Sequence, residues 1–252
     1  MNKFPLVEII YITYNRLPYT KITLPTLLDC DYENYNITIV DNGSSDGTIE
    51  YLKSIKNKHI KSIILNRKNK GLVKPTKKFW KGSQAKYFGK IDNDILVSKK
   101  FITTLVKAHE KIPKLAILGY CHFRQEDINY EQLLPKIITI EDVNIRKQPW
   151  IGGNYIAKSN IIQNNKGYKQ SWKFIKKQPL HGFNKYQNKL TELGFINGYI
   201  ADKNKQLFLW EHLDDPRHIN YMKNKDYDIR NLTDDEIIKW YKNDASKLLL
   251  EY

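Results

Sequence analysis

Four times between Leu6 and Val97, an apolar run breaks off in a polar cluster, and the first three clusters lead into a helix-like segment. Leu6 to Thr13 is rich in β-branched and apolar residues, as a buried strand requires, and ends in Thr13-Tyr14-Asn15-Arg16. Pro18 suits the first turn of a helix running through Leu28. Asn36 to Val40 ends in Asp41-Asn42-Gly43-Ser44-Ser45-Asp46-Gly47-Thr48, whose small residues permit a tight turn. Ser45 or Asp46 can cap the following helix, which is expected to reach about Lys56. Ile60 to Leu65 leads to Asn66-Arg67-Lys68-Asn69-Lys70-Gly71, then to a helix over Val73 to Gly82. The fourth run ends in Ile91-Asp92-Asn93-Asp94. Such alternation predicts an α/β fold, a mostly parallel sheet flanked by helices and joined by right-handed crossovers. All four polar clusters then gather at one sheet edge, where open α/β proteins bind their ligands.

The fourth tip is the sharpest chemical signal. Asp92 and Asp94 follow a run from Ala85 in which the aromatic and apolar residues carry the strand pattern, and Ile95 resumes the apolar pattern. Unpaired buried carboxylates are costly, so two of them at a strand end call for a cation between them. Oxygen ligands suit Mg²⁺ or Mn²⁺, which commonly share their shell with substrate phosphates. The alternative is a solvated Asp-Asn-Asp turn, favoured for local reasons.

Composition narrows the partners. The chain has 252 residues, 42 Lys and Arg against 27 acids, and a formal charge of +15. A surface of that sign attracts anions: nucleotides, nucleic acid, acidic glycans or lipid headgroups. Cys30 and Cys121 show no metal or redox spacing and read as free thiols. Without a signal-peptide pattern or an apolar run of about 20 residues, the expectation is a cytoplasmic chain that can contact a membrane surface peripherally.

The second half is less regular. A helix is expected over Lys99 to Lys111, strands over Leu115 to Tyr120 and Lys136 to Ile140, and a helix over Phe183 to Leu193 stopped by Gly194. Short strands are expected at Phe195 to Ile200 and Leu207 to Trp210, with one more after Trp150-Ile151-Gly152-Gly153-Asn154-Tyr155. Thr233-Asp234-Asp235-Glu236 opens a helical C-terminal tail.

Together, Thr13-Tyr14-Asn15-Arg16, Val40 through Thr48, Asn69-Lys70-Gly71 and Ile91-Asp92-Asn93-Asp94 resemble, in order and spacing, the donor-binding half of GT-A-fold (Rossmann-like) glycosyltransferases, family 2 above all. The resemblance implies a single GT-A-like domain: residues 1–97 for the nucleotide-sugar, 98–218 for the acceptor, 219–252 as tail. It implies a hexosyltransferase-type enzyme using Mn²⁺ or Mg²⁺ and a nucleoside diphosphate sugar, UDP-linked ahead of GDP-linked, with inversion. The acceptor would be a glycan, a lipid-linked sugar or a protein. Carried over by position, Thr13, Asn15, Arg16, Asp41, Asn69 and Gly71 hold the nucleotide. Asp92 faces the ribose or a metal-bound water, and Asp94 ligates the metal. Arg16, Arg67, Lys70 and Lys74 add positive field, although any one of them read alone is a solvated surface charge. Trp150, Gly152, Gly153 and Asn154 resemble the lining of the donor sugar and acceptor, an ordinary tight turn being the alternative.

One departure stands out. Inverting members carry Glu-Asp, the Asp being the base, about ten residues before a helix-ending Gly. Counting back from Gly194, Gly182-Phe183 stands there instead. His181 is the nearest replacement base. The cluster Glu211-His212-Leu213-Asp214-Asp215 offers His212 to complete a metal shell and Asp214 or Asp215 as base. Three other readings compete. A nucleotidyltransferase would need a Gly-rich basic loop after the first strand. A degenerate binder of nucleotide-sugar or glycan would fit the missing base. A nucleic-acid module has only the net charge in its favour, with no binding motif and the basic residues scattered, so no nucleic-acid partner is expected.

Overall fold

The computed structural model describes residues 4–95, 97–120, 137–165 and 183–201. Nine strands form one sheet: β1 (Val7–Thr13), β2 (Tyr35–Asp41), β3 (Ile60–Leu65), β4 (Tyr87–Asp92), β5 (Leu115–Tyr120), β6 (Ile137–Ile140), β7 (Val143–Lys147), β8 (Asn154–Lys158) and β9 (Ile196–Ile200). Their order is β3-β2-β1-β4-β8-β5-β9-β7-β6. Pairing is parallel from β3 through β4, as expected from the alternation. Beyond β4 it is mixed: β8 runs antiparallel to both β4 and β5, β9 parallel to β5, and β7 antiparallel to β9 and β6.

Helices cover both faces. On one lie α1 (Leu17–Leu28), α2 (Thr48–Ser54) and α4 (Phe101–Lys111). Leu24, Leu27, Leu52, Ile102 and Leu105 pack there against Val7, Ile9, Tyr11, Ile37, Ile39 and Ile91. On the other lie α3 (Val73–Gly82), α5 (Ser159–Asn164) and α6 (Asn184–Glu192). Trp80, Ile161, Ile162, Tyr186 and Leu190 pack with Phe88, Ile117, Tyr155 and Ala157. Burial of such aliphatic and aromatic side chains contributes about 1.5–3 kcal/mol each. The two-residue period of β4 therefore sends Tyr87 and Ile91 into the first core, and turns Phe88 to the second.

Strand and helix positions in the first half agree with expectation to within a few residues. In the second half, β7 and α5 were not anticipated. The hairpin between β6 and β7 turns on Glu141 and Asp142, both at positive φ (48° and 62°), with no glycine to announce it. The expected helix over Phe183 to Leu193 is α6, and Gly194, at φ 85°, ends it. The strand expected at 207–210, the tail helix from Thr233 and Cys121 lie outside the described residues. Among the described residues, no helix is long and apolar enough to cross a membrane.

Candidate active site

Register brings the strand tips together. Thr13 pairs with Asp41 across β1–β2, and Ile12 with Asp92 across β1–β4. With β1 between them, the Asp41 and Asp92 backbones stand about 10 Å apart, two strand spacings.

The loops after β1 and β2 are stitched into one unit. The Asn42 amide donates to the Thr13 carbonyl (2.9 Å), the Asn15 amide to Ser44 Oγ (2.9 Å), and the Ser45 amide to Asn15 Oδ1 (2.7 Å). Asn15 adopts φ 48°, a left-handed conformation that asparagine tolerates. Asp41, fully buried, accepts from the amides of Gly43 and Ser44 (2.9 Å each) and from the Ser44 hydroxyl. Gly43 (φ 87°) lies against the third loop, where an added Cβ would stand 3.1 Å from the Asn66 carbonyl oxygen and the Lys68 nitrogen. That third loop is tied in as well: Asn42 Oδ1 accepts from Asn66 Nδ2 (3.1 Å), and Asn42 Nδ2 donates to the Gly71 carbonyl (3.3 Å). Asn69 Oδ1 accepts from the Gly71 amide (2.8 Å), closing the turn internally.

Thr13 is buried, and its hydroxyl meets Thr20 Oγ1 (3.1 Å) and Asn93 Nδ2 (3.0 Å). It joins the tips of β1 and β4 rather than facing outward. Asn93 in turn presents its carbonyl to Thr23 Oγ1 (2.8 Å), so the residue between the two acids is anchored to β1 and α1.

Each acid meets its own protein cation. Asp92 pairs with Lys90, two residues back on the same strand face, and Asp94 pairs with Arg16 from the β1 tip. Side-chain exposure is 6% for Lys90, 27% for Asp92, 6% for Asp94 and 38% for Arg16. Burial pushes the Asp92 carboxyl above its ordinary value; Lys90 opposes that, and the neighbouring charge of Asp94 adds to it. The acids thus feel one another while Asp92 keeps an open side. As a pair of oxygen donors beside an opening they fit a hard divalent cation. Among the described residues no group of three or more His, Cys, Asp or Glu is placed to hold one, so the remaining ligands would have to come from a bound diphosphate, from water or from elsewhere in the chain.

The Trp150–Asn154 segment abuts this tip. The Asp92 amide donates to the Gly153 carbonyl (2.9 Å), and a Cβ on Gly153 would sit 1.7 Å from Asp92 Oδ2. Trp150 is 38% exposed and the Gly152 amide donates to the Tyr199 hydroxyl (3.3 Å). Asn154 differs from its neighbours: it is fully buried in β8, and its Oδ1 accepts from the Tyr120 amide (3.0 Å). Beside Asp92, the buried Tyr155 hydroxyl has no hydrogen-bond partner among the described residues; burial, then the Asp92 charge, pushes its phenol well up.

Phe183, standing where the family base is expected, precedes α6 and packs on Trp80 with ring centroids 4.9 Å apart. His181, His212, Asp214 and Asp215 lie outside the described residues. Lys90 and Asn93 were not singled out from sequence. A lysine inside an apolar strand, two places before an acid and so on its face, was the available signal for the first.

Comparisons with known proteins point one way. An uncharacterized glycosyltransferase of Haemophilus influenzae is 30% identical over 121 residues, 47% of this chain and 37% of that protein. The poly-beta-1,6-N-acetyl-D-glucosamine synthase of Staphylococcus epidermidis is 26% identical over 140 residues, 55% of this chain and 33% of that protein. The matched stretches thus span about a third of the length of these relatives. Among solved structures, the mannosyltransferase PcManGT from Pyrobaculum calidifontis, in complex with GDP-Man and Mn²⁺, superposes with a TM-score of 0.60 at 16% identity, covering 80% of this chain and 55% of that one. S. aureus TarS 1–349, in complex with UDP-GlcNAc, gives 0.56 at 14% identity over 94% of this chain and 71% of that one. These likenesses establish a glycosyltransferase fold of the GT-A kind. The profile of glycosyl transferase family 2 matches residues 8–208, and the chain belongs to that family.

Proposed function

We propose that the protein is a metal-dependent glycosyltransferase that takes a sugar from a nucleoside diphosphate sugar, UDP-linked ahead of GDP-linked, and inverts it onto a glycan, lipid-linked or protein acceptor. The observation that carries this is the register of β2, β1 and β4, which sets Asp41, Thr13 and Asp92 side by side with Asp94 at the same tip. Solved relatives of this fold hold GDP-Man with Mn²⁺ and UDP-GlcNAc, which supports a nucleotide-sugar donor and a divalent cation.

In this reading residues 1–97 serve the donor. Asn15, Asp41, Asn69 and Gly71 shape the nucleoside pocket, with Thr13 holding the pocket wall together. Asp92 offers its open oxygen to a ribose hydroxyl or metal-bound water, and Asp94 supplies the carboxylate for Mn²⁺ or Mg²⁺. When bound, the cation neutralises charge on the departing diphosphate. Arg16, with Lys70 and Lys74, adds to that field. Trp150, Gly152 and Gly153 border the sugar side, where a ring can lie on a sugar face and a bare backbone allows close approach. As the acceptor oxygen bonds to the anomeric carbon, the bond to the diphosphate breaks with its electron pair. The acceptor proton goes to a base, for which His181, Asp214 and Asp215 are the candidates.

A panel of nucleoside diphosphates with Mn²⁺ is expected to raise the melting temperature with UDP or GDP, and less so in Asp94→Ala. Stabilisation by generic DNA with none from any nucleotide would overturn the donor reading. His181→Ala should abolish transfer, read by mass spectrometry with candidate acceptors, while donor binding persists; unchanged turnover moves the base to Asp214 or Asp215.

Phe183, packed on Trp80 at the position where a base is expected, favours a second reading, a donor-binding protein without transfer. Donor binding and slow donor hydrolysis with no product on any acceptor would select it.

A further inference from the structure

The two acids at the β4 tip have unlike counter-ions. Lys90 lies within β4, hemmed in by its register partners Ile10 of β1 and Tyr155 of β8, with 6% of its side chain exposed. A lysine so placed is tolerated because it is paired, and it has no route to another anion without leaving the sheet. Arg16 is the opposite case. It sits on the loop leaving β1, 38% exposed, with its guanidinium 5.3 Å from the Tyr19 ring centroid. Its long stem can pivot from that seat, and its planar fork suits two phosphate oxygens as well as it suits a carboxylate. Among the described residues, two acids and two bases make the tip formally neutral.

We infer that Arg16 is an exchangeable counter-ion, which holds Asp94 while the site is empty and gives that carboxylate up to a divalent cation as it turns to the incoming diphosphate, while Lys90 remains fixed on Asp92 throughout. The inference rests on the donor-site reading above. It assigns the two acids different duties. Asp92, permanently neutralised, is left to position ligand hydroxyls or water through its exposed side. Asp94 alone changes partner.

A bare divalent cation then meets a tip with no net negative charge and must displace a guanidinium to bind. A diphosphate arriving with the cation gives Arg16 a new anion, so that each ligand makes room for the other. By linkage the nucleotide tightens the cation by the same factor as the cation tightens the nucleotide.

The test is the Mn²⁺ affinity, without nucleotide, of wild type, Arg16→Gln, Arg16→Lys and the double variant Arg16→Gln with Asp94→Asn, read from the electron paramagnetic resonance of free Mn²⁺. Removing the guanidinium should tighten bare Mn²⁺ by about tenfold and reduce the mutual tightening of Mn²⁺ and UDP or GDP by a similar factor. The double variant should lose that gain, and Arg16→Lys, which keeps a cation there, should stay near wild type. Arg16→Met, which retains the apolar stem over Tyr19, replaces the Gln variant should that one not fold. Bare Mn²⁺ binding that is unchanged or weaker in Arg16→Gln overturns the exchange, even where wild type binds nucleotide with Mn²⁺ normally. Failure of wild type to bind any nucleoside diphosphate would instead remove the donor reading beneath it.

Discussion

His109 illustrates what burial does to a single titrating group. It is wholly buried on α4 with Nε2 2.9 Å from the Ile156 carbonyl, which makes that nitrogen the donor. Burial drives its pKa down to about 4 from 6.5; the Ile156 bond opposes this, and the charge of Lys158 adds to it. The folded state therefore refuses a proton that the unfolded chain accepts. Stability should fall as pH drops from 6.5 towards 4 and gain no further penalty from this group below that, a total of about 3 kcal/mol. Urea midpoints for wild type and His109→Gln measured across that range should converge as pH falls; parallel curves would refute the assignment. Gly153 makes the other test at this scale. Its missing side chain is the space that Asp92 Oδ2 occupies, so Gly153→Ala should cost about 1–3 kcal/mol and displace the carboxyl. Thermal melting together with nucleotide binding would show both effects, and an unaltered nucleotide affinity would argue against Asp92 as a donor contact. Of these residues, the sequence made Asp92 and Asp94 conspicuous because acids at the end of an apolar run need a reason. It did not reveal that the Thr13 hydroxyl and the Asn154 Oδ1 are spent on the scaffold, since either side chain looks the same whether it faces inward or out.

At the level of elements, Asp46 joins two helices. Its Oδ2 accepts from the Leu17 amide at the start of α1 (2.8 Å), and its Oδ1 from the amide (3.1 Å) and hydroxyl (2.6 Å) of Thr48 at the start of α2. Burial raises its carboxyl, but the bonds from Thr48 and the Leu17 amide outweigh burial and leave it below the ordinary 3.8. Its contribution is complete above that value and fades as acid titrates the folded carboxylate. Asp46→Ala should lose about 1 kcal/mol for each cap, read by denaturant unfolding at neutral pH; a loss confined to a few tenths would mean that water caps these helices equally well. The cap on α2 was legible in Ser45-Asp46, since either residue can do that work. The cap on α1 was not, because the carboxylate that accepts from it lies 29 residues away. Parallel strands with intervening helices were equally legible, through repetition. β7 and its turn were not: Val143 to Lys147 is short and half polar, its hairpin with β6 turns without a glycine, and its other partner, β9, is distant in sequence.

For the whole molecule, the relevant quantities are the charge of +15 and the sheet order. A positive field that steers anions extends about one Debye length, which shrinks from about 30 to about 10 Å between about 0.01 and about 0.1 M salt. Nucleoside diphosphate affinity should weaken several-fold over that interval, as titration calorimetry can show, and insensitivity to salt would confine recognition to short-range contacts. Sheet order explains why the meeting of the first four strand tips could be foreseen and the placement of the later ones could not. In β3-β2-β1-β4 all four strands run the same way, so every polar tip emerges together. From β8 onward directions are mixed, and position along the chain no longer tells which end of the sheet a residue reaches. The joint between these two regimes is the pairing of β4 with β8, which ends in the backbone bond from Asp92 to Gly153. Whoever grafts a foreign second half onto the first four strands must keep a residue without a side chain at that seam, or the transplant will evict the Asp92 carboxylate.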